Sequence, residues 1–238
     1  MRSSRVNADA RPRIAVLLDE NTSGDATRYE ASKNYFLAVR NAGGLPFGVP
    51  YLPEIVDVVV RDFDGLLSVG GRFAYPEAWY AGSGASKAPR SDRFEVERAL
   101  VERCLDRDKP VLGICAGMQM LACLLGCRMS PDILAERPGA LEHDRRDRLH
   151  AVSVVPGTRL AAAVATPSFL VNSLHREAVV ELAGGVVPSA HAEDGVIEAV
   201  EIPGRAFAVG LQWHQEAFAA EDHPGNAVFA GFVRACQR

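Results

Sequence analysis

The stretch PVLGICAGMQMLACLLG, residues 110–126, is the one on which the fold turns. PVLGI is short, apolar and opened by a proline, as a buried strand is. MQMLACLLG is a longer apolar run closed by a glycine, as a buried helix is. Between them Cys115 stands in a G-x-C-x-G frame with Gly113 and Gly117. This is the sulfur counterpart of the nucleophile elbow, a sharp strand-to-helix turn that lifts one side chain out of the end of a sheet. Such a turn crowds the chain against itself, and a glycine on each side relieves the crowding. Cys115 then opens the next helix, where the helix dipole favours a thiolate. The N–H of Ala116, orphaned at the helix start, can receive a developing oxyanion. The carboxyl ends of parallel strands are also where open α/β sheets bind their ligands.

Upstream of the corner, short apolar runs alternate with helical patterns. RIAVLL (13–18) reads as a strand and YEASKNYFLAVRNAGG (29–44) as a helix stopped by Gly43. LPFGVPY (45–51) is a second strand, PEIVDVVVRD (53–62) a helix, and DGLLSVGG (64–71) a third strand that runs into two glycines. AGSGASKAPR (81–90) has the composition of a mobile surface loop, and SDRFEVERALVERCLDRD (91–108) that of an amphipathic helix. This alternation implies a parallel sheet covered on both faces. After residue 150 the runs AVSVV, FLVNS, VVPSAHA, VIEAVEI and FAVGLQW crowd together as strands, richer in antiparallel pairing, before a last helix in PGNAVFAGFVRACQR. ERPGALEHDRRDRL (136–149) reads as a long polar loop lying over a site. One domain from residue 13 to 238 is the economical division, preceded by a frayed tail over residues 1–12.

The bulk properties exclude several classes. The 238 residues carry a net charge of −4 with no basic block, which argues against nucleic acid as a partner. No apolar run is long enough to span a membrane, and MRSSRVNADARPR lacks the apolar stretch of a signal peptide. Five cysteines, an odd number with no CxxC, argue against a disulfide framework and a thiolate zinc site, and fit a reducing cytoplasm. Cys104, Cys123 and Cys127 lie in apolar helical surroundings as small core residues. His143 and His150 have acidic neighbours, but their spacing matches no metal motif, so no metal or other cofactor is expected.

A nucleophile needs a base, and the base an orienting group. Among six histidines His214 stands out, because FAVGLQWHQE is a strand ending at a histidine with Glu216 two residues later. Two residues along an extended chain return to the same face, so Glu216 can hold the imidazole of His214.

GICAGMQM together with LQWHQE resembles the Cys-His-Glu core of the class I glutamine amidotransferase-like superfamily. VNSLHREAV (171–179), DGVIEAVE (194–201), AGGLPFGVPYLP (42–53) and FDGLLSVGG (63–71) are similar to segments of its γ-glutamyl-γ-aminobutyrate hydrolase branch, the peptidase C26 group. The resemblance implies a flavodoxin-like three-layer α/β sandwich with a mostly parallel central sheet. It implies that Cys115 attacks a γ-glutamyl amide to form a thioester, that His214 relays the proton and that Glu216 orients His214. The N–H groups of Gly71 and Ala116 would form the oxyanion hole. Gln119 would contact the glutamyl part, and Asn172, Ser173, Leu174 and His175 would help hold its α-carboxylate and α-amine. The small-molecule substrate would be γ-glutamyl-GABA or a related γ-glutamyl-amine of polyamine (putrescine) breakdown, in a cytoplasmic enzyme compatible with a homodimer.

Departures from the family pattern are specific. Ala116 stands where a larger residue usually follows the cysteine, and Gln215 where a proline usually separates histidine from glutamate. GGRFAYPEAWY places Arg72, Phe73, Ala74 and Tyr75 ahead of Pro76, where an acidic residue and proline are typical. Arg72 could pair with a carboxylate on the leaving amine, and Phe73, Tyr75, Trp79 and Tyr80 either line that pocket or pack a loop. Two other readings compete with the hydrolase: a glutaminase subunit that feeds ammonia to a synthetase, and a non-catalytic binding protein. A further α/β superfamily with a corner cysteine follows it with a histidine, against which Ala116 argues.

Overall fold

The computed structural model describes residues 11–20, 28–82 and 84–237. The strands and helices run β1 (Arg13–Leu17), β2 (Asp19–Glu20), β3 (Tyr29–Glu30), α1 (Lys33–Asn41), β4 (Leu45–Val49), α2 (Ile55–Asp62), β5 (Gly65–Ser68), α3 (Arg93–Asp106), β6 (Val111–Ile114) and α4 (Ala116–Cys123). Then follow β7 (Arg128–Ser130), α5 (Ile133–Glu136), β8 (Asp144–Val154), α6 (Arg159–Val164), β9 (Ser168–Leu174), β10 (Ala178–Glu181), β11 (Val187–Ala192), β12 (Ile197–Glu201), β13 (Ala208–Leu211) and α7 (Ala227–Ala235).

The main sheet has nine strands in the order β4-β1-β5-β6-β13-β12-β11-β8-β9. The first five are mutually parallel, and the remaining pairings are antiparallel. Numbered along the chain, the parallel strands stand in the order 2-1-3-4-5, which is the flavodoxin-like winding. Their apolar runs are continuous because both faces are covered. On β1, Ala15 and Leu17 enter the core under α2, α3 and α4, while Ile14 and Val16 enter the core under α1, α6 and α7. Each large apolar side chain buried this way contributes about 1.5–3 kcal/mol. Helix α1 opens on the Ser32 hydroxyl, which accepts from the N–H of Asn34. It ends as expected at Gly43, whose φ of +93° closes the C-terminal turn.

Three expectations need correction. Residues 136–149 are not all loop, because β8 begins at Asp144 and pairs with β9. The signal was hidden because the start of β8 is exposed on both faces, so its side chains do not alternate, and a bulge between Arg145 and Leu149 breaks the register. Residues 81–90 form no regular element among those described, yet they are fastened: Ala74 N–H donates to the carbonyl of Pro89 and Lys87 pairs with Asp132. Of the expected tail, residues 1–10 lie outside the described residues. Pro12 already accepts from the N–H of Leu45, and Arg11 donates to the carbonyls of Gly43 and Gly44. Among the described residues no helix is long and apolar enough to cross a membrane.

Candidate active site

Cys115 sits between β6 and α4 with φ +52° and ψ −104°. A residue with a Cβ avoids this region, so the strain, on the order of 1–3 kcal/mol, must be held by its surroundings. The N–H of Cys115 donates to Leu211 on β13, and the hydroxyl of Tyr75 donates to the carbonyl of Ala116 at 2.8 Å. The flanking glycines are required by contact. A Cβ on Gly113 would lie 2.4 Å from the backbone of Gly117, and one on Gly117 would lie 2.4 Å from the carbonyl oxygen of Ser68. The corner exists because α4 starts in contact with two strands.

His214 follows β13, and its Nδ1 lies 2.7 Å from Oε1 of Glu216. The geometry differs from the extended one expected, since Gln215–Phe218 is a 3₁₀ turn. Gln215, in the position of the family's proline, is buried. Its Oε1 accepts from the indole of Trp213 at 2.8 Å, and its Nε2 donates to Oδ1 of Asn226 at 3.0 Å. That network locks the turn carrying Glu216. Asn172 clamps the backbone of His214 from both sides: Oδ1 accepts its N–H at 2.9 Å and Nδ2 donates to its carbonyl at 2.8 Å. Burial alone would push the His214 ring down, but the neighbouring sulfur of Cys115 and the carboxylate of Glu216 outweigh it and lift the ring to about 10. At neutral pH the sulfur therefore faces an imidazolium.

Gly70 and Gly71 follow β5 and complete the rim. Helix α3 presents Arg93, fully buried, which donates to the carbonyls of Val69 and Gly70 and pairs with Glu97 and Asp19. Ser68 in turn donates to Glu97. A Cβ on Gly70 would lie 2.5 Å from the His214 ring, and one on Gly71 would lie 2.6 Å from Arg93. Tyr35 on α1 bridges this turn to the histidine: its hydroxyl accepts from the N–H of Gly70 at 3.0 Å and lies 3.4 Å from Nδ1 of His214. Burial, reinforced by Glu216, pushes the Tyr35 phenol well above its ordinary value, so it stays protonated. Among the described residues no hydrogen bond occupies the N–H of Gly71, and Ala116 is the first residue of α4, so its N–H has no partner within the helix.

Two cavities meet at the sulfur, sharing Gly71, Arg72, Cys115 and Leu174. The narrower, about 230 Å³, is walled by Phe73, Lys87, Gln119, Arg176 and Glu177. The wider, about 610 Å³, holds His214, Glu216, Tyr35, Asn172 and Arg146. Glu177 accepts from the hydroxyls of Tyr80 and Ser86, and burial raises its carboxyl.

Several expected substrate contacts are engaged elsewhere. Both N–H groups of the Gln119 amide are taken, by the carbonyl of Glu177 and by Gln212. Asn172 serves His214. Ser173 turns its hydroxyl to His143, and both ring nitrogens of His175 are engaged, by Glu177 and Glu198. Of the VNSLH segment only Leu174 lines both cavities without such a tie. Arg72 lines both and is paired in a bidentate manner with Asp144. Of the aromatics left open, Phe73 lines the narrow cavity, while Tyr75 and Trp79 stack with each other and pack against Phe94. Tyr35 and Arg93 carry no local signal, since each reaches the site from an element remote in the chain, while Arg146 and Glu177 lie in the stretches 136–149 and 171–179 already singled out, without being marked as individual residues.

Comparison with known proteins places the chain in a family. The family model "Peptidase C26" matches residues 13–216. The γ-glutamyl-γ-aminobutyrate hydrolase PuuD of Escherichia coli (strain K12) is 30% identical over 240 residues, covering 95% of this chain and 94% of that protein. Protein NtpR of Enterococcus hirae is 27% identical over 83% of this chain and 85% of its own length. Among solved structures, that of a candidate GMP synthase component from Thermoplasma acidophilum superposes with a TM-score of 0.65, 17% identity and 95% coverage of each chain, a likeness of fold. The chain belongs to the peptidase C26 family, hydrolases of the class I glutamine amidotransferase-like fold.

Proposed function

We propose that this chain is a cysteine-dependent hydrolase of γ-glutamyl amides, releasing glutamate and an amine. The observation that carries the proposal is a cysteine held in the elbow conformation beside a histidine–glutamate pair, with a cavity on each side of the sulfur. The narrow cavity suits the γ-glutamyl group, with Glu177 for the α-ammonium and Lys87 and Arg176 for the α-carboxylate. The sulfur of Cys115 attacks the γ-carbonyl carbon, and the carbonyl oxygen takes the negative charge toward the N–H groups of Gly71 and Ala116. The imidazolium of His214 gives its proton to the amine nitrogen as the C–N bond breaks, leaving a thioester. His214, now neutral, takes a proton from water, which attacks the thioester and frees glutamate and the thiolate. The amine departs through the wider cavity, where Arg146 and Arg72 favour a leaving group that itself carries a carboxylate, as γ-aminobutyrate does. The hydrolase named for γ-glutamyl-γ-aminobutyrate, at 30% identity, supports that choice, and the five unpaired cysteines fit a cytoplasmic setting.

The test is glutamate release from γ-glutamyl-GABA, γ-glutamyl-putrescine, γ-glutamyl-ethylamide and L-glutamine. Release is expected to be fastest with the acidic leaving amine and to drop by about 10⁴-fold or more in Cys115→Ala. Release from L-glutamine alone would replace the proposal with a glutaminase that feeds a partner. Silence of a folded protein across the panel would overturn it.

A further inference from the structure

Behind the wall of the narrow cavity lies a polar centre that the triad does not use. Glu198 of β12 is buried, with Oε1 lying 3.3 Å from Nδ1 of His143, 3.5 Å from Nε2 of His150 and 3.3 Å from Nε2 of His175. The other nitrogen of each ring faces a group that only accepts. For His143 it is Oδ2 of Asp194 at 3.0 Å, for His150 the carbonyl of Ala151 at 3.2 Å, and for His175 the carbonyl of Glu177 at 3.1 Å. Each ring must spend a proton there, and a neutral imidazole has only one. Three lone pairs are then aimed at a carboxylate. The hydroxyl of Ser173, 3.0 Å from Nδ1 of His143, can donate to one of them. Nε2 of His150 and Oε2 of Glu198 remain buried with no hydrogen-bond partner among the described residues. Acceptors facing acceptors away from water require positive charge between them.

The spacing tells which kind. Ligands at roughly 2.0–2.1 Å around a tetrahedral Zn²⁺ ion lie about 3.3–3.4 Å apart. In the proposed set, Nδ1 of His143 lies 3.3 Å and Nε2 of His150 lies 3.5 Å from Oε1 of Glu198. One ligand atom each from His143, His150 and Glu198 can be chosen so that all lie within 4.8 Å of one another. The outer contacts to Asp194 and Ala151 are those that orient metal-bound histidines. A surface cavity of about 400 Å³ reaches the cluster at His143 and His175. We propose that His143, His150 and Glu198 bind one divalent transition-metal ion, of which Zn²⁺ is the first choice, with His175 against the same carboxylate. The ion would tie β8 and the residue before it to β12, and Glu198 would in turn hold His175, after β9, in the wall of the narrow cavity, a structural role at a distance from the sulfur. Two histidines seven residues apart conceal such a site, because its third ligand arrives 48 positions after His150.

The test uses the full chain without a histidine tag in the Cys115→Ser background, so that the catalytic thiol binds no zinc. Metal content is measured after gel filtration, and the chelator-stripped protein is titrated with ZnCl₂ by calorimetry and thermal melting. One equivalent per chain and a melting temperature that rises with zinc are expected. Asp194→Asn should weaken Zn²⁺ binding by about 10–100-fold, and Glu198→Gln should abolish it. Should Glu198→Gln fail to fold, titration of the stripped Cys115→Ser chain with CoCl₂ decides by the visible bands of a tetrahedral site. Substoichiometric metal with no thermal shift and no cobalt bands would overturn the proposal and leave protons as the charge that holds the cluster.

Discussion

At the scale of the residue, the proposed chemistry rests on an imidazole held protonated. His214 stands at about 10 because the sulfur of Cys115 and Glu216 outweigh its burial. The folded chain therefore binds this proton more tightly than the unfolded chain, whose histidine keeps the ordinary value of 6.5. The contribution to stability is complete below pH 6.5 and fades as pH rises toward 10. Urea midpoints measured at about pH 7 and about pH 9.5 should fall further in the parent chain than in His214→Gln. Equal slopes would show that the ring is not the titrating group. Glutamate release should also decline on the alkaline side, since the leaving amine needs the proton of the imidazolium. Where a residue lies is written in the sequence more plainly than which way it points. Cys115, His214 and Glu216 were legible because they lie in two short stretches with their own backbone signature. Asn172, Ser173 and His175 were placed near the site, but their polar atoms point to His214, His143 and Glu198, and a sequence segment says nothing about which way a side chain turns.

At the scale of the element, the corner is a packing problem as much as a chemical one. Helix α4 approaches β5 so closely that only glycine fits at Gly117, where a Cβ would meet the carbonyl of Ser68 at 2.4 Å. Gly117→Ala must push α4 off the sheet and turn the sulfur away. A loss of about 1–3 kcal/mol is expected, together with a fall in turnover larger than the stability loss explains. Gly43→Ala is the control: its left-handed φ of +93° costs about 1 kcal/mol, nothing lies within 4 Å of the new Cβ, and turnover should hold. Denaturation and glutamate release measured on both variants decide the matter. Parallel-sheet elements were legible because burial on both faces leaves continuous apolar runs. The start of β8 was not, since an exposed strand of mixed polarity looks like loop, and the half-buried β7–β10 pair was not, since strands of three and four residues are too short to show a period.

At the scale of the molecule, one sheet carries two kinds of work. Its parallel half ends in Cys115, the Gly70–Gly71 turn and His214. The antiparallel half supplies Asn172, Arg146 and the histidine cluster behind the pocket wall. The join lies at β13, which pairs in parallel with β6 and antiparallel with β12. The fold class could be read because the order of runs along the chain dictates it. The meeting of distant residues such as Tyr35 and Arg93 could not, because it depends on the twist and register of the finished sheet. The two cavities sharing one sulfur also set the order of traffic. On the proposed mechanism the amine leaves first by the wide door while the acyl group stays tethered in the narrow one, and whatever next enters by that door would take the acyl group. Water would then be one acceptor among several, and other nucleophiles that enter by that door should compete with it for the acyl group. Hydroxylamine should divert the thioester to γ-glutamyl hydroxamate in ping-pong fashion, read as hydroxamate formed at the expense of glutamate. A product ratio blind to hydroxylamine would mean that the wide door closes before the second acceptor arrives.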